Sequence, residues 1–368
     1  MPAKQTPNQL QVPAYMAFFL VHSAQFGVGV LGFSRYIAEI AGYQSWLSVL
    51  IAGAVNQIII WMIFKTIKRT QEQDLYSIQK YLYGKWLGGF ITVLFSLYFA
   101  TLAIVVLRTY IEIIQVWIYI ELTTWSIALA FLLVAYYAIL KGFRVLVGLT
   151  FLFSLLPILL TPTIVPVLEY AEWFHLSPFL PTDVKSLFHA AFMLTLSFAG
   201  AELIYVYYPF LQDKQKVQRY AHLGSLATTI SYLFITLVTF VYYSEEQLEL
   251  TIWPTLSAWK IASFVFIERV EYIGIAAWLM VIFPNIALTI WAASRLMKQQ
   301  FKVSHRKTLV VTLILVFVIT NQFTTRASIN LLNTSINYIG PVFIFGMIPL
   351  LLLISFFRKR RKKGGKAI

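Results

Sequence analysis

The sequence contains no cysteine, few charged residues and no long polar connection. Without cysteine there are no disulfides, no thiolate metal ligands and no cysteine nucleophile. Charged residues make up 12% of the 368 positions, against about 25% in ordinary soluble domains. What lies between the apolar stretches is too short to fold as a globular head, which excludes an enzyme with a soluble catalytic domain. His22, His175, His189, His222 and His305 show no metal-ligand spacing, and no two carboxylates are poised for acid/base work. No catalytic residue, metal or cofactor is expected.

What is present is apolar surface: 59% hydrophobic residues and a mean hydropathy of +0.75. A span needs about 20 predominantly apolar residues. Ten such stretches are read at 12–34, 44–64, 86–107, 122–140, 145–165, 187–210, 222–243, 271–294, 308–321 and 336–357. The expected fold class is an all-α polytopic membrane protein, a single integral membrane domain over 1–368. The first stretch exceeds the h-region of a secretory signal and follows a single basic residue, Lys4, so it reads as a span.

The net charge of +14 is distributed by side rather than by patch. With both termini cytoplasmic, 23 of the 29 Lys and Arg fall on the cytoplasmic side, and Arg35, Arg108, Lys185, Lys260, Arg269 and Arg326 on the other. That is the positive-inside arrangement of an even number of spans. The basic cytoplasmic tail at 358–368 would meet anionic headgroups of membrane lipid. The excess positive charge is topological, and no nucleic acid partner is expected.

Ten spans divide into five and five, so the second half enters from the opposite face, as in secondary transporters built from inverted repeats. Repeat 1 is placed at about 12–165 and repeat 2 at about 187–357. The connections at 65–85 and 244–263 correspond, and both carry amphipathic stretches, Leu75 to Leu82 and Leu248 to Ile261. Gly88 and Gly89, in the third span, read as sites of close helix approach.

The first and sixth spans carry corresponding interruptions. Gly27-Val28-Gly29-Val30-Leu31-Gly32 spells a dinucleotide fingerprint, but its apolar setting lacks the strand and the acidic residue a nucleotide loop requires. It is expected to break the first helix near Phe26, with resumption near Val30. Its partner is Ser197-Phe198-Ala199-Gly200-Ala201-Glu202, with the first half of that helix ending near Phe198. Backbone freed inside a bilayer must line a cavity or bind a solute. Amides of the first break would suit a carboxylate and carbonyls of the sixth an ammonium, a cradle for a small zwitterion. Glu202 is the one carboxylate well inside a span, at a cost on the order of 2.5–3.5 kcal/mol if ionised. It would hold a proton, cap the unwound segment, pair with a cation, or sit neutral between helices. Tyr98 and Thr101 in the third span, and Asn285 and Thr289 beside Pro284 in the eighth, are further candidates to face the cavity. Arg108 and Glu112 are spaced for an i,i+4 pair that snorkels at the outer end of the third span.

In that order, the two glycine motifs resemble the broken helices of the amino acid/polyamine/organocation permease superfamily, whose fold is LeuT-like. The segment Trp253-Pro254-Thr255-Leu256 through Ile267-Glu268-Arg269-Val270-Glu271, leading to Trp278, is similar to the B-subunit family of spore germinant receptors. Phe33-Ser34 stands where that family usually has a proline. The fifth span offers Thr150 and Ser154 where proton-coupled superfamily members often carry lysine, which argues against proton coupling by that route. The resemblance implies a membrane subunit of a germinant receptor in the spore inner membrane. It would bind a small nutrient, an amino acid or sugar, beside an A-type membrane subunit and a C-type lipoprotein. An ion-coupled amino acid permease is the alternative.

Overall fold

The computed structural model describes residues 7, 10–72, 74–178, 183–260 and 270–358. Lys4, Ile261, the Ile267-Glu268-Arg269 motif and the basic tail beyond Arg358 lie outside the described residues.

Helix occupies all ten stretches read from the sequence, several of them in pieces. The main elements are α1 (Met16–Gln25), α2 (Phe33–Ala41), α3 (Trp46–Thr70), α4 (Leu75–Trp117), α5 (Thr124–Leu140) and α6 (Phe143–Phe153). They continue with α7 (Val184–Met193), α8 (Lys214–Tyr242), α9 (Val270–Phe301), α10 (His305–Gln322), α11 (Arg326–Pro341) and α12 (Ile348–Phe357). Among the described residues, six continuous helical stretches are long and apolar enough to cross a membrane, and α5 is a shorter apolar helix. The protein is a multi-pass membrane protein.

Several helices outrun their apolar stretches because burial supplies partners for charge. α4 continues past Arg108 and Glu112 to Trp117, and both charged side chains are buried. They do not pair as expected. Arg108 Nε donates to the Phe323 carbonyl at 2.5 Å, while Glu112 Oε1 accepts from Arg326 at 2.6 Å. Both ties cross to the loop and helix that follow α10, so the two groups need not snorkel. At its start α4 is capped by Asp74, which accepts from the Ser77 amide at 2.8 Å. Gly84, at φ +82°, separates the amphipathic 75–83 turn from the spanning part. Past this break Gly88 packs on the Gln79 carbonyl, where a Cβ would lie at 2.6 Å.

Prolines shape other interruptions by removing backbone donors. Beyond α6 the chain passes Pro157, Pro162 and Pro166 in a short helix, Leu156–Leu160, and a 3₁₀ stretch, Thr161–Tyr170. Pro341 precedes a π-helical turn, Val342–Met347, that leads into α12.

Corresponding members of the two expected repeats pack on each other: α3 against α8, and α4 against α9. Asn56 Nδ2 donates to Ser225 Oγ at 2.6 Å across the first of these contacts. One end of the bundle is sealed around the second broken helix. There Val12 and Leu211 form an isolated parallel bridge, with Val12 N donating to Phe210 O at 2.8 Å. The Arg295 guanidinium lies 4.5 Å from the Phe210 ring centre. The opposite end carries the two short helices Glu245–Leu250 and Pro254–Trp259 and the start of α11.

Candidate functional site

α1 stops at Gln25 because Phe26 (φ −97°, ψ 79°) and Gly27 (φ −114°, ψ −148°) leave helical geometry. One 3₁₀ turn, Val28–Leu31, follows, and α-helix resumes only at Phe33, three residues later than expected. The conformations at Gly27 and Gly32 lie at negative φ, which any residue adopts. These glycines serve close approach instead. A Cβ at Gly27 would lie 3.3 Å from Asn285 Nδ2, one at Gly29 3.3 Å from Ser197 Oγ, and one at Gly32 3.0 Å from Ile252 O.

The second break begins earlier than Phe198. α7 ends at Met193, turns carry the chain to Gly200, and a 3₁₀ turn, Ala201–Leu203, precedes the short helix Ile204–Tyr207. Gly200 has φ +116°, the left-handed region, and a Cβ there would also lie 2.7 Å from the Ala24 Cβ. Both the backbone and the space require glycine at this position.

Side chains of neighbouring helices take up the backbone groups these breaks release. Gln25 Nε2 donates to Phe198 O at 3.0 Å. Tyr232 Oη, from α8, lies 2.6 Å from Gln25 O and 3.1 Å from Ser197 O. Asn285 Nδ2, from α9, donates to Ala24 O at 2.6 Å. Glu202 turns back on the segment it follows: Oε2 accepts from the Gly200 amide at 2.9 Å and Oε1 from Tyr98 Oη at 2.8 Å. The carboxyl therefore caps the unwound segment and ties it to α4.

Between the breaks and the end of the bundle that carries Trp253 and the start of α11 lies a cavity of about 480 Å³. Of the residues singled out in the sequence, Gly27, Val28, Gly29, Gly32, Ser197, Ala199, Gly200, Asn285 and Thr289 line it. Leu31, Tyr98, Phe198 and Glu202 are buried beside it but do not line it. Thr101 faces away, half-buried, with its hydroxyl donating to Leu97 O in its own helix. In the fifth span Thr150 and Ser154 are likewise engaged locally, with Leu146 O and Phe151 O. Among the described residues no group of three or more His, Asp or Glu is placed to hold a metal ion.

The wall contributed by α11 was missed in the sequence. Asn330, Asn333, Thr334 and Asn337 all line the cavity, spaced at i, i+3, i+4 and i+7 on one helical face. Ile329, Leu332 and Ile336 are buried on the adjoining face. That spacing was available as a signal, masked by the apolar run that follows it. Gln25 and Tyr232, which bridge the breaks, carry no motif at all.

The spore germination protein family matches residues 11–329. The chain belongs to this family. It is 37% identical to spore germination protein GerQB of Bacillus cereus, over 96% of this chain and 98% of that protein. Identity to spore germination protein YndE of Bacillus subtilis (strain 168) is 24%, over 96% and 98% of the two chains. In fold it is similar to Mhp1, a nucleobase-cation-symport-1 family transporter solved in a closed conformation with bromovinylhydantoin bound. That likeness has a TM-score of 0.69 at 9% identity and covers 95% of this chain and 79% of the other. It is also similar to MhsT, solved in complex with L-phenylalanine, with a TM-score of 0.65 at 14% identity over 92% and 87%. The fold of this spore germination family member is thus LeuT-like, shared with solved transporters; the protein is not an enzyme.

Proposed function

We propose that this protein is a membrane subunit of a spore germinant receptor that holds a small nutrient between its two broken helices and converts occupancy into the signal for germination. The observation that carries this reading is the cavity whose floor is formed by both breaks at once. Tyr232 bonds to the carbonyls of Gln25 and Ser197, so a solute lodged at Gly29 and Ser197 would move both breaks together. A ligand shifts such an equilibrium only by its differential affinity for the two arrangements.

The distribution of basic residues supports a cytoplasmic location for both termini and for the end closed by Val12 and Leu211, with the cavity open to the other side. In this reading the membrane is the spore inner membrane, and the partners that receive the signal are an A-type membrane subunit and a C-type lipoprotein. The LeuT-like fold, shared with symporters, supports a second reading, an ion-coupled amino acid permease.

The test is Gly29→Trp in spores that carry this protein within their sole nutrient receptor. The expected result is loss of the nutrient response with normal amounts of protein in the membrane, and a full response would reject the site. Uptake of labelled nutrient into proteoliposomes separates the two readings. Binding without gradient-driven accumulation supports the receptor, and accumulation supports the permease.

A further inference from the structure

The chemistry of the cavity wall narrows the class of solute, on the reading that the cavity is the nutrient site. Among the described residues no carboxylate lines it. The two cations that line it each have a carboxylate partner: Arg35 Nε lies 2.8 Å from Glu39 Oε1, and Arg326 pairs with Glu112 at 2.6 Å. The carbonyls of Ala24, Gln25, Ser197 and Phe198, which would otherwise suit an ammonium, all accept from neutral protein donors. An α-amino acid brings one group with only donors and one with only acceptors, both charged, and burying either without a counter-charge is costly.

What the wall leaves unengaged is neutral and two-sided. No hydrogen bond of the described residues uses the side chains of Asn330, Thr334 or Asn337, and Asn333 engages only its oxygen, with Thr109. Gln25 Oε1 is buried without a partner at the floor. Carboxamides and hydroxyls both donate and accept, as solute hydroxyls do. Asn330 and Thr334 are exposed and Asn333 and Asn337 half-buried, so within a membrane this face of the helix requires water or a solute to meet it. Across from them Phe33, Tyr36 and Trp253 offer aromatic surface, suited to the C–H face of a saturated ring.

We propose that the occupant is a neutral, polyhydroxylated ring compound of the sugar class, held along its hydroxyl edge by the Asn330–Asn333–Asn337 stripe of α11. The same wall offers an amino acid zwitterion no unpaired charge.

The full-length protein in lipid nanodiscs is titrated with D-glucose, D-ribose and myo-inositol, and separately with L-alanine, L-valine and L-asparagine, with thermal unfolding as the readout. A saturable rise in Tm is expected with at least one hydroxylated compound and with none of the amino acids. Asn330→Ala and the milder Asn337→Ser, neither of which removes a hydrogen bond among the described residues, should each weaken the response at least tenfold in apparent Kd while leaving the Tm of the unliganded protein close to that of the parent. Saturable binding of an amino acid, or none by any hydroxylated compound, overturns the proposal. Gly29→Trp separates the two levels of inference. If it abolishes binding of an amino acid, the cavity is the site and only the sugar class is wrong. If a sugar still binds to Gly29→Trp and to both asparagine variants, the cavity reading itself is wrong.

Discussion

Glu202 and Gly200 close a ring within one strand of backbone: the Gly200 amide donates to the Glu202 carboxyl at 2.9 Å, two residues further along. Tyr98 completes the arrangement from α4 with its hydroxyl at 2.8 Å, and its ring stacks on Phe343 of the π-helical turn at 4.3 Å between centres. Glu202→Ala would leave a buried amide and a buried phenol without an acceptor, at a cost of about 1–3 kcal/mol for each orphaned group. Glu202→Gln retains one acceptor and should lose less. Thermal unfolding of the purified variants gives the order parent, Gln, Ala, and equal Tm values for parent and Ala would remove the capping role.

Gly200→Ala should be among the most damaging single-methyl changes in the chain. It combines a left-handed backbone, which disfavours an L side chain by roughly 1–2 kcal/mol, with a Cβ only 2.7 Å from that of Ala24. Gly148→Ala is the control, since no atom lies within 4 Å of its added Cβ and alanine is preferred in helices by about 1 kcal/mol. Yields of monodisperse protein after detergent extraction should fall for the first and hold or rise for the second.

Arg326 and Glu112 join α11 to α4 at the mouth of the cavity. A double-mutant cycle with Glu112→Gln and Arg326→Gln should return a coupling energy within the range of about 0.5–3 kcal/mol seen for contacting pairs. The single changes should each cost more than the double, because removing one partner strands the other. Additive effects on unfolding would show that the pair carries no linkage between these helices.

The absence of cysteine makes every introduced thiol unique. In sealed, right-side-out vesicles an impermeant maleimide should label Glu121→Cys and Glu246→Cys but not Lys141→Cys or Lys307→Cys. All four positions are exposed, so labelling reports side rather than burial. The opposite pattern would invert the proposed topology.

Much of the architecture was legible in the sequence because the bilayer imposes a one-dimensional rule: backbone groups must be satisfied along each apolar run. The breaks at Gly27–Gly32 and around Gly200 stood out for the same reason. Span ends were less legible wherever charge intervenes. Arg108 reads as a terminus, yet the Phe323 carbonyl and Gln115 receive its guanidinium and the helix continues. The carbonyls of the second break read as free for an ammonium, but Gln25 and Tyr232 already bond to them.

The sequence by itself determined that this chain lives in a membrane, where its helices break and which family its motifs resemble, since these follow from local composition and spacing. Only the tertiary structure decided which polar groups remain available between the breaks. Hydrogen-bond partners such as Asn285 and Ala24 are 261 positions apart, and the asparagine face of α11 becomes a cavity wall only when that helix lies opposite the unwound glycines.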